Sequence, residues 1–343
     1  MPKVTLQMIA DKLGVSKGLV SIALSDKYGV NTETRSDIVM TAIQMGYDFN
    51  RIKKQKESTR SNLFYVLTKD IDLHTDRFWP QIIKGIESKA TEYKYKIKVK
   101  SWDESTNLDM FVADIVDMRC SGIIIISEIP PFIFNHLVLS KIPMILVDGK
   151  IMYDDFIDTI SVNNYAAFYN ATSYVIEQGH RHLAFVGDIN HAYSFNQRYH
   201  GFKDCVKKYP HVKMTRLTAA GDDQDTTKNY NRKQLYQSLA EGKVEAYLCA
   251  NDSIAEKVYL LAETMGINIP HHISVMGFDD NYQSKHMTPP LATVNVPKKE
   301  LGELCFNSLR DRIRNRESSL KRINIMCKIV KRESILNKTP KTE

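Results

Sequence analysis

The sequence lacks the features that mark exported, membrane-spanning or disulfide-bonded proteins. Its five cysteines are odd in number, widely spaced and free of any CxxC pair, so neither a disulfide framework nor a zinc site is indicated. No basic segment followed by an apolar core opens the chain, and the most apolar run, GIIIISEIPPFIF, is short and interrupted by Glu128 and two prolines. We therefore expect no export signal, no membrane span and a cytoplasmic location.

Motifs for catalysis are missing as well. The chain has no GxGxxG or phosphate-binding loop, no GxSxG and no Cys/His arrangement that would suggest covalent chemistry. The histidines of HRH at 180–182 and the pair at 271–272 lie too close along the chain to converge on a metal, and no Cys or carboxylate spacing completes a site. We expect a protein without enzymatic activity, metal or cofactor.

The sequence is rich enough in apolar residues for several domains, and its charge is uneven. With 343 residues, 43% of them hydrophobic, the chain exceeds what one core usually supports. Residues 1–60 hold ten Lys and Arg against six Asp and Glu, and five of those cations fall in NRIKKQKESTR, residues 50–60. That stretch is compatible both with a solvated linker and with a segment that binds phosphates.

Three short helices are predicted within the first 49 residues. Thr5 can cap a helix with apolar residues at i, i+3, i+4 and i+7, Gly14 ends it, and Ser16 caps a second helix after a three-residue turn. A third helix is expected over about 32–45. This arrangement matches a helix-turn-helix, whose second helix lies in the major groove of DNA. A small helical bundle without a ligand is the alternative, which the small and cationic residues on the outer face of the second helix weaken.

Beyond residue 60, short β-rich runs alternate with segments of helical periodicity. NLFYVL, GIIIIS, MILVD, LAFVG and ISVMG are among these runs. Such alternation predicts parallel sheets covered on both faces, and its length suits two similar lobes with a cleft between them. Because a ligand binds outside the carboxyl ends of the strands in such sheets, polar residues that follow the runs are candidates for a binding site.

Several segments of the chain resemble the lactose/galactose repressor family of bacterial transcription regulators. They are TLQMIADKLGVSKGLVSIALS, ETR, GYDFN, DRFWPQIIKGIE, IPMILVD, EQGHRHLAFVGD, RYHGF, ANDSIA, ISVMGFDD and KRES, in this order. The resemblance implies an α/β protein with an N-terminal helix-turn-helix three-helix head at 1–49 and a hinge at 50–60. It also implies a periplasmic-binding-protein-like two-lobed core with parallel sheets at 61–343, which serves effector binding and dimerisation.

In this family the chain crosses three times between the lobes of the core. We expect the crossings near Ile160, Leu291 and Lys321. The expected lobes are 61–160 with 291–321, and 161–290 with 322–343.

The resemblance implies DNA contacts in the head and hinge. The positions matched to base-edge contacts are Lys17, Gly18, Ser21 and Ile22. The positions matched to backbone phosphates are Thr5, Ser16, Thr34, Tyr47 and Asn50, and Leu6 and Ser25 complete the expected set in the head. In the hinge, relatives have a small residue at the position of Lys53 and an intercalating leucine at that of Lys56. Because lysine cannot replace an apolar wedge, we expect these two residues to bind phosphates and to bend DNA little.

An effector site is expected in the cleft between the lobes. Its candidate residues are Phe78, Trp79, Ser127, Asp148, Arg198, Asn251 and Asp279. Carboxylates, an arginine, an amide and aromatic rings together suit a sugar or a sugar phosphate. For Asp279 and its neighbour Asp280 a capping role is an equal alternative, and Trp79 can instead be a core aromatic.

Together these features predict a cytoplasmic repressor of carbohydrate-utilisation genes that a small effector controls. It is expected to bind a near-palindromic operator as a homodimer, because only nine residues follow KRES and they lack the heptad pattern of a tetramerising helix. A sugar-binding protein and a doubly wound enzyme, both without a DNA-binding role, are the alternatives. A periplasmic sugar-binding protein would need an export signal, and a doubly wound enzyme would need a phosphate loop and metal-binding carboxylates.

Overall fold

The computed structural model describes residues 4–24, 30–47, 62–70, 73, 78–117, 120–149, 157–218 and 228–339. Its N-terminal part is a head of three helices, α1 (Leu6–Leu13), α2 (Lys17–Leu24) and α3 (Thr32–Gln44). Gly14 ends α1 in the left-handed conformation that glycine adopts without strain. The apolar faces of the three helices meet in a core of their own, in which Ile9, Val20 and Ile38 are fully buried. The head thus matches the helix-turn-helix expected from the sequence.

A six-stranded parallel sheet forms the first lobe of the core. Its strands are β1 (Leu63–Lys69), β2 (Lys96–Trp102), β3 (Gly122–Ile126), β4 (Met144–Val147), β5 (Asp158–Val162) and β11 (Arg322–Ile325), in the spatial order β11-β5-β4-β3-β1-β2. Alternate residues of β1 point to opposite faces. Phe64 and Val66 pack with helices α4 (Trp79–Glu92) and α11 (Lys298–Arg314), while Tyr65 and Leu67 pack with α5 (Leu108–Asp117) and α6 (Pro131–Leu139).

The second lobe is built on a four-stranded parallel sheet. Its strands are β6 (His182–Val186), β7 (Lys213–Leu217), β8 (Ala246–Cys249) and β9 (Ser274–Met276), in the order β7-β6-β8-β9. Its helices are α7 (Asn164–Glu177), α8 (Tyr193–Val206), α9 (Lys228–Glu241) and α10 (Asp252–Thr264). Strands followed by helices in both lobes confirm the α/β class with parallel sheets.

The chain passes between the lobes a few residues later than the sequence suggested. Strand β5 continues to Val162 and β11 pairs with it, so residues 322–325 belong to the first lobe and not to the second. The ladder extends at both ends, because the Thr159 N–H donates to the Lys321 carbonyl and the Asn163 N–H donates to the Ile325 carbonyl, each at 2.9 Å. The remaining two strands, β10 (Thr293–Asn295) and β12 (Lys328–Val330), form an antiparallel pair at the crossings.

In each lobe, two helices cross so closely that glycine is required at the contact. A Cβ atom on Gly302 of α11 would lie 2.0 Å from the Ile82 carbonyl oxygen of α4. A Cβ atom on Gly201 of α8 would lie 2.3 Å from the Tyr165 carbonyl oxygen of α7. Backbone thus packs directly on backbone at both crossings, which fixes the position of α8 and of the side chains it carries.

Candidate functional site

Arg198 of α8 is buried where polar residues follow the strands of the second lobe. Its side chain is held on several sides: Nε donates to Asn164 Oδ1 (2.8 Å), and Nη1 donates to the Ala250 carbonyl (2.7 Å). Nη2 lies 3.8 Å from Asp279 Oδ1, and the guanidinium carbon lies 3.7 Å from the centre of the Phe278 ring. The guanidinium therefore has a fixed orientation, with its charge next to the Asp279 carboxylate.

Asp148, at the end of β4, joins this arrangement through Asn164. The Asn164 amide donates to Asp148 Oδ1 (3.1 Å) while its oxygen accepts from Arg198. Burial raises the pKa of Asp148, and the charge of Arg198 and the Asn164 hydrogen bond only partly offset this. The structure thus brings together three of the predicted residues, Asp148, Arg198 and Asp279.

Lys298 connects this group to the first lobe. It is the first residue of α11, and its ammonium donates to the carbonyl oxygens of Asp279 and Asp280. The same ammonium lies 5.7 Å from the centre of the Phe78 ring, which places this predicted aromatic residue at the site. Trp79 contacts Phe78 edge-on and is only 7% exposed within the main core cluster, so its packing fits the core role left open by the sequence.

The side chains of Asn251 and Asp280, which lie near the site, are hydrogen-bonded to other groups of the protein. The Asn251 side-chain oxygen accepts the Ile254 N–H (2.9 Å) and so caps α10. Asp280 accepts from Arg332 Nη2 (2.6 Å) and from Asn295 Nδ2 (2.8 Å). Asp280 is therefore held by side chains of the lobe, a structural role different from the capping role that the sequence left open, whereas the Asp279 side chain faces Arg198.

The backbone is unusual at the same strand ends. Ser127, Asp148 and Asp279 have φ angles of 64°, 54° and 113°, a region that residues other than glycine seldom occupy. Such conformations are typical of binding sites, where the surrounding structure holds them in place. Ser127 follows β3 directly, on the carboxyl side of the same sheet as Asp148.

Three residues of the site are not among those predicted from the sequence. Asn164 and Lys298 begin helices, and Cys327 lies between β11 and β12. The Cys327 thiol is close enough to interact with the charges of Arg198, Asp279 and Asp148, and burial raises its pKa to about 12. Only Asn164 had a usable signal, because it follows strand β5 as the other candidates follow theirs.

The predicted DNA-contact residues of α2 lie on the accessible side of the head. Lys17 and Gly18 are exposed, and Ser21 and Ile22 are half-buried. The hydroxyl of Ser16 accepts the Leu19 N–H (3.1 Å) at the start of the helix. Lys17 and Gly18 are thus presented side by side to the solvent.

The other predicted head residues have more local roles. Thr5 caps α1 by accepting the Met8 N–H (3.3 Å), and Leu6 packs against the head core. Thr34 is partly exposed, and its N–H donates to Asn31 Oδ1 (2.7 Å). Tyr47 is 7% exposed in the head core, so little of its surface faces the solvent. The predicted residues that lie outside the described part of the chain are Ser25, Asn50, Lys53 and Lys56, with the rest of the hinge.

The residues in the described ranges form neither a metal site nor a membrane span. No three His, Cys, Asp or Glu side chains among these residues come together in a way that could hold a metal ion. No helix among them has both the length and the apolar character needed to cross a bilayer.

Comparison with protein families and curated sequences gives matches along nearly the whole chain. Residues 172–335 match the family model described as a periplasmic binding protein-like domain. The HTH-type transcriptional repressor PurR of Pectobacterium atrosepticum is 24% identical over 335 residues, which cover 96% of both chains. The PurR repressor of Klebsiella pneumoniae strain 342 is 24% identical over 334 residues, again 96% of both. The matches therefore include the head as well as the core.

Solved structures share the fold at low identity. The lac repressor dimer bound to operator and the anti-inducer ONPF has a TM-score of 0.68 at 23% identity, covering 98% of this chain and 100% of that one. A LacI family regulator from Enterococcus faecium with bound ribose has a TM-score of 0.69 at 23% identity, covering 81% and 100%. The regulator CelR in complex with cellobiose has a TM-score of 0.69 at 18% identity, covering 97% and 100%.

Proposed function

We propose that this chain is a member of the lactose/galactose repressor family of bacterial transcription regulators, and that it is a repressor whose affinity for operator DNA is set by a sugar-like effector. The observation that carries the proposal is Arg198, buried at the strand ends of the second lobe beside Asp279 and linked through Asn164 to Asp148 of the first lobe, in a chain that also has a helix-turn-helix head. The relatives that align with 96% of its length are transcriptional repressors, which supports the same function.

The residues around Arg198 suit a ligand with adjacent hydroxyl groups. The guanidinium supplies charged donors, and the carboxylates of Asp148 and Asp279 supply acceptors. Burial disfavours the charged form of Asp148, so a ligand hydroxyl that donates to it would recover part of that loss. The ring of Phe78 lies 5.7 Å from the Lys298 ammonium but is only 5% exposed, so like Trp79 it belongs mainly to the core and offers a ligand little surface. Ser127, which follows β3 of the first lobe, and Asn251, which follows β8 of the second, are further polar groups at strand ends.

The head would place α2 in the major groove. Lys17 can donate to O6 or N7 of guanine, while Gly18 leaves space for the neighbouring base pair. Ser21 and Ile22 complete the base-facing side. Thr5, Ser16, Thr34 and Asn50 would contact phosphates, and Tyr47 would do so only through the small part of its surface that remains exposed. A second head on a symmetric partner would bind the other half of a near-palindromic operator.

Lys298 provides a link from effector to DNA. It belongs to α11, which packs in the first lobe, yet its ammonium is bonded to the carbonyl of Asp279 in the second. A ligand that binds Asp279 differently in two arrangements of the lobes would shift their populations by the difference in its affinity for them. Because the first lobe is joined to the head through the hinge, this shift would change the affinity for operator.

Two substitutions test the proposal by separating its parts. We expect Arg198→Ala to weaken effector binding by about 10- to 100-fold, because it removes charge-assisted hydrogen bonds, and to leave operator binding within about threefold. Lys17→Ala should weaken operator binding and leave effector binding unchanged. Effector binding is measured by thermal shift with sugars and sugar phosphates, including ribose and cellobiose. Operator binding is measured by mobility shift on duplexes that the full chain enriches from random DNA.

A third variant serves as a control, and each alternative function predicts a different result. Asp279→Asn preserves the shape of the site and should weaken the effector response even where Arg198→Ala folds poorly. Loss of operator binding by a folded Arg198→Ala protein without ligand would contradict the assignment of Arg198. A chain that binds a sugar and enriches no DNA sequence would instead be a sugar-binding protein, and turnover of a nucleotide or sugar would indicate an enzyme.

A further inference from the structure

One edge of the first lobe lies directly beside the point where the hinge meets the core. We call it the amino edge, because the parallel strands of the six-stranded sheet begin there and the helices that pack on it end there. Asn62, the first described residue after the hinge, accepts the Lys96 N–H (2.6 Å) through its carbonyl and donates to the Lys94 carbonyl (3.4 Å). The hinge therefore leaves the core beside Lys94 and Lys96.

The amino edge carries exposed cations along its width. They are Lys94 and Lys96 before and in β2, Lys141 before β4, Lys321 and Arg322 at β11, and Arg314 and Arg316 at the end of α11. Several acidic groups of this edge are already neutralised by contacts within the lobe. Glu92 is bonded to Lys89 and Asp311 to Lys321, each at 2.7 Å, and buried Asp158 is bonded to Arg312. Lys321 is thereby paired, so the net positive charge of the edge comes from its other cations.

The opposite edge of the same sheet has the opposite character. Where the strands end, the acidic residues are Asp70, Asp103, Glu104, Glu128 and Asp148, with Glu300 in the first turn of α11, and the cations are Lys69 and, at the start of α11, Lys298 and Lys299. The lobe is thus polarised along its strands, from a basic edge at the hinge to a mainly acidic edge at the cleft. Such a distribution orients the lobe toward a polyanion on its hinge side.

The loop after α11 forms a shaped part of the amino edge. A hollow of about 430 Å³ is lined by the cations Arg314, Arg316 and Lys321 and by the acidic residues Asp311 and Glu317. Arg312 fixes this loop from below, because its guanidinium donates to the carbonyls of Ser318 (2.6 Å) and Ser319 (2.8 Å) while it holds Asp158. The backbone of the loop that bears these cations is therefore held in place by hydrogen bonds from Arg312.

We propose that the amino edge is a second DNA-binding surface, which contacts backbone phosphates that flank the operator. The inference rests on the proposed function, because the head must bring DNA to this edge. The 14 residues from 48 to 61 span at most about 50 Å, so DNA held by the head stays near the edge at a high effective concentration. Exposed lysines and arginines without a base-reading helix suit phosphates, which would add affinity and salt dependence without sequence preference.

The test compares two variants that lose the same charge. In one, Lys94, Lys96, Arg314 and Arg316 of the amino edge are replaced by Gln. In the control, four exposed lysines of the second lobe, Lys207, Lys213, Lys233 and Lys243, are replaced by Gln. Dissociation constants are measured from 50 to 300 mM salt on an enriched operator alone and on the same operator centred in a duplex about three times longer.

The outcomes distinguish this inference from the proposed function. On the long duplex we expect the slope of log K against log salt to be flatter by at least about 1 in the amino-edge variant than in the control, with equal slopes on the short duplex. Equal slopes on both duplexes would overturn the second surface and leave the repressor proposal intact. If the wild type enriches no operator, the proposed function fails, and the amino edge is then judged on random duplex, where its variant must bind more weakly than the control. A change in sedimenting mass of the amino-edge variant would show that this edge contacts a second copy, and would also overturn the inference.

Discussion

Asp252, the first residue of α10, carries a charge that its surroundings disfavour. It is 4% exposed, and its carboxylate accepts from the Thr293 hydroxyl (2.6 Å) and from the Asn281 N–H (2.7 Å). Burial raises the pKa of Asp252 to about 6, although both hydrogen bonds act in the other direction. Since the folded protein holds this proton more tightly than the unfolded chain, the contribution of Asp252 to stability falls as pH rises from about 4 to about 6.

Replacing Asp252 with Asn should remove this pH dependence. Asn can accept the Asn281 N–H and donate to the Thr293 hydroxyl oxygen without becoming charged. Relative to the wild type, we expect Asp252→Asn to gain roughly 2 kcal/mol in the free energy of unfolding between pH 4.5 and pH 7.5. Denaturant unfolding at the two pH values measures this difference. Parallel changes in both proteins would contradict the prediction.

Asp280 provides a control of opposite sign. Burial raises its pKa, but the hydrogen bonds from Arg332 and Asn295 outweigh burial and hold the pKa below its ordinary value. Its stabilising contribution is therefore present above the ordinary pKa and is lost as pH falls toward the folded-state pKa. Asp280→Asn should thus be about equally destabilising at pH 7.5 and pH 4.5, which both lie above the ordinary pKa, and less destabilising at about pH 3. Asp252→Asn, by contrast, should already differ between pH 4.5 and pH 7.5.

At the scale of the element, Gly18 weakens the helix that would contact DNA. It is the second residue of α2, and a Cβ atom there would meet nothing closer than Ser16 Oγ at 3.8 Å. Because alanine restricts the unfolded chain more than glycine does, we expect Gly18→Ala to stabilise the head by about 0.5–1 kcal/mol. The same methyl group would alter the DNA-facing surface, so the sequence enriched from random DNA should change. A destabilised head would show that α2 needs glycine here for its own packing.

The same substitution should have the opposite effect where α4 and α11 cross. A Cβ atom on Gly302 would be 2.0 Å from the Ile82 carbonyl oxygen and 3.0 Å from the Gly85 Cα, so the helices would have to separate. We expect Gly302→Ala to destabilise the core by roughly 2–3 kcal/mol, as overpacking at a backbone contact does. Calorimetry on the full chain measures this loss. An unchanged melting temperature would mean that the two helices can move apart without loss of packing.

The elements themselves could largely be predicted, because their signals are local. The caps at Thr5 and Ser16, the stop at Gly14 and the apolar runs of the strands lie within a few residues of the structure they specify. Strand β11 was assigned to the wrong lobe, since RINI has the same alternating pattern whichever sheet it joins. Its place is decided by pairing with β5, about 160 residues away, which no local pattern encodes.

The candidate site was predictable in part for the same reason. Asp148 and Asp279 follow recognisable strands, so their positions at strand ends could be expected from the sequence. Asn164 and Lys298 act through partners far along the chain, since Asn164 bonds Arg198 and Lys298 bonds the Asp279 carbonyl. Asn251 follows its strand as expected. Its side-chain oxygen caps α10, however, and the residue type alone does not predict that role.

At the scale of the whole molecule, we expect a homodimer. Two heads related by a two-fold axis are needed to bind both halves of a near-palindromic operator, and a single head offers only the short helix α2 for base contacts. Sedimentation at micromolar concentration should give twice the mass of the 343-residue chain, and the operator complex should contain two chains per duplex. A stable tetramer, or a monomer that binds operator with full affinity, would contradict this.

The order in which the core is completed has a consequence for how the protein is made. The head core is assembled from residues up to Tyr47, but the first lobe needs β11, and the second needs Ser334 and Leu336, which bond to Val275 and Ser274. A ribosome that adds 5–20 residues per second takes roughly 15–55 s to pass from β1 to Leu336, and the apolar strands of the nascent chain stay without their full partners for that time. The part that would bind DNA is therefore finished first, and control by a ligand begins only once Leu336 has emerged.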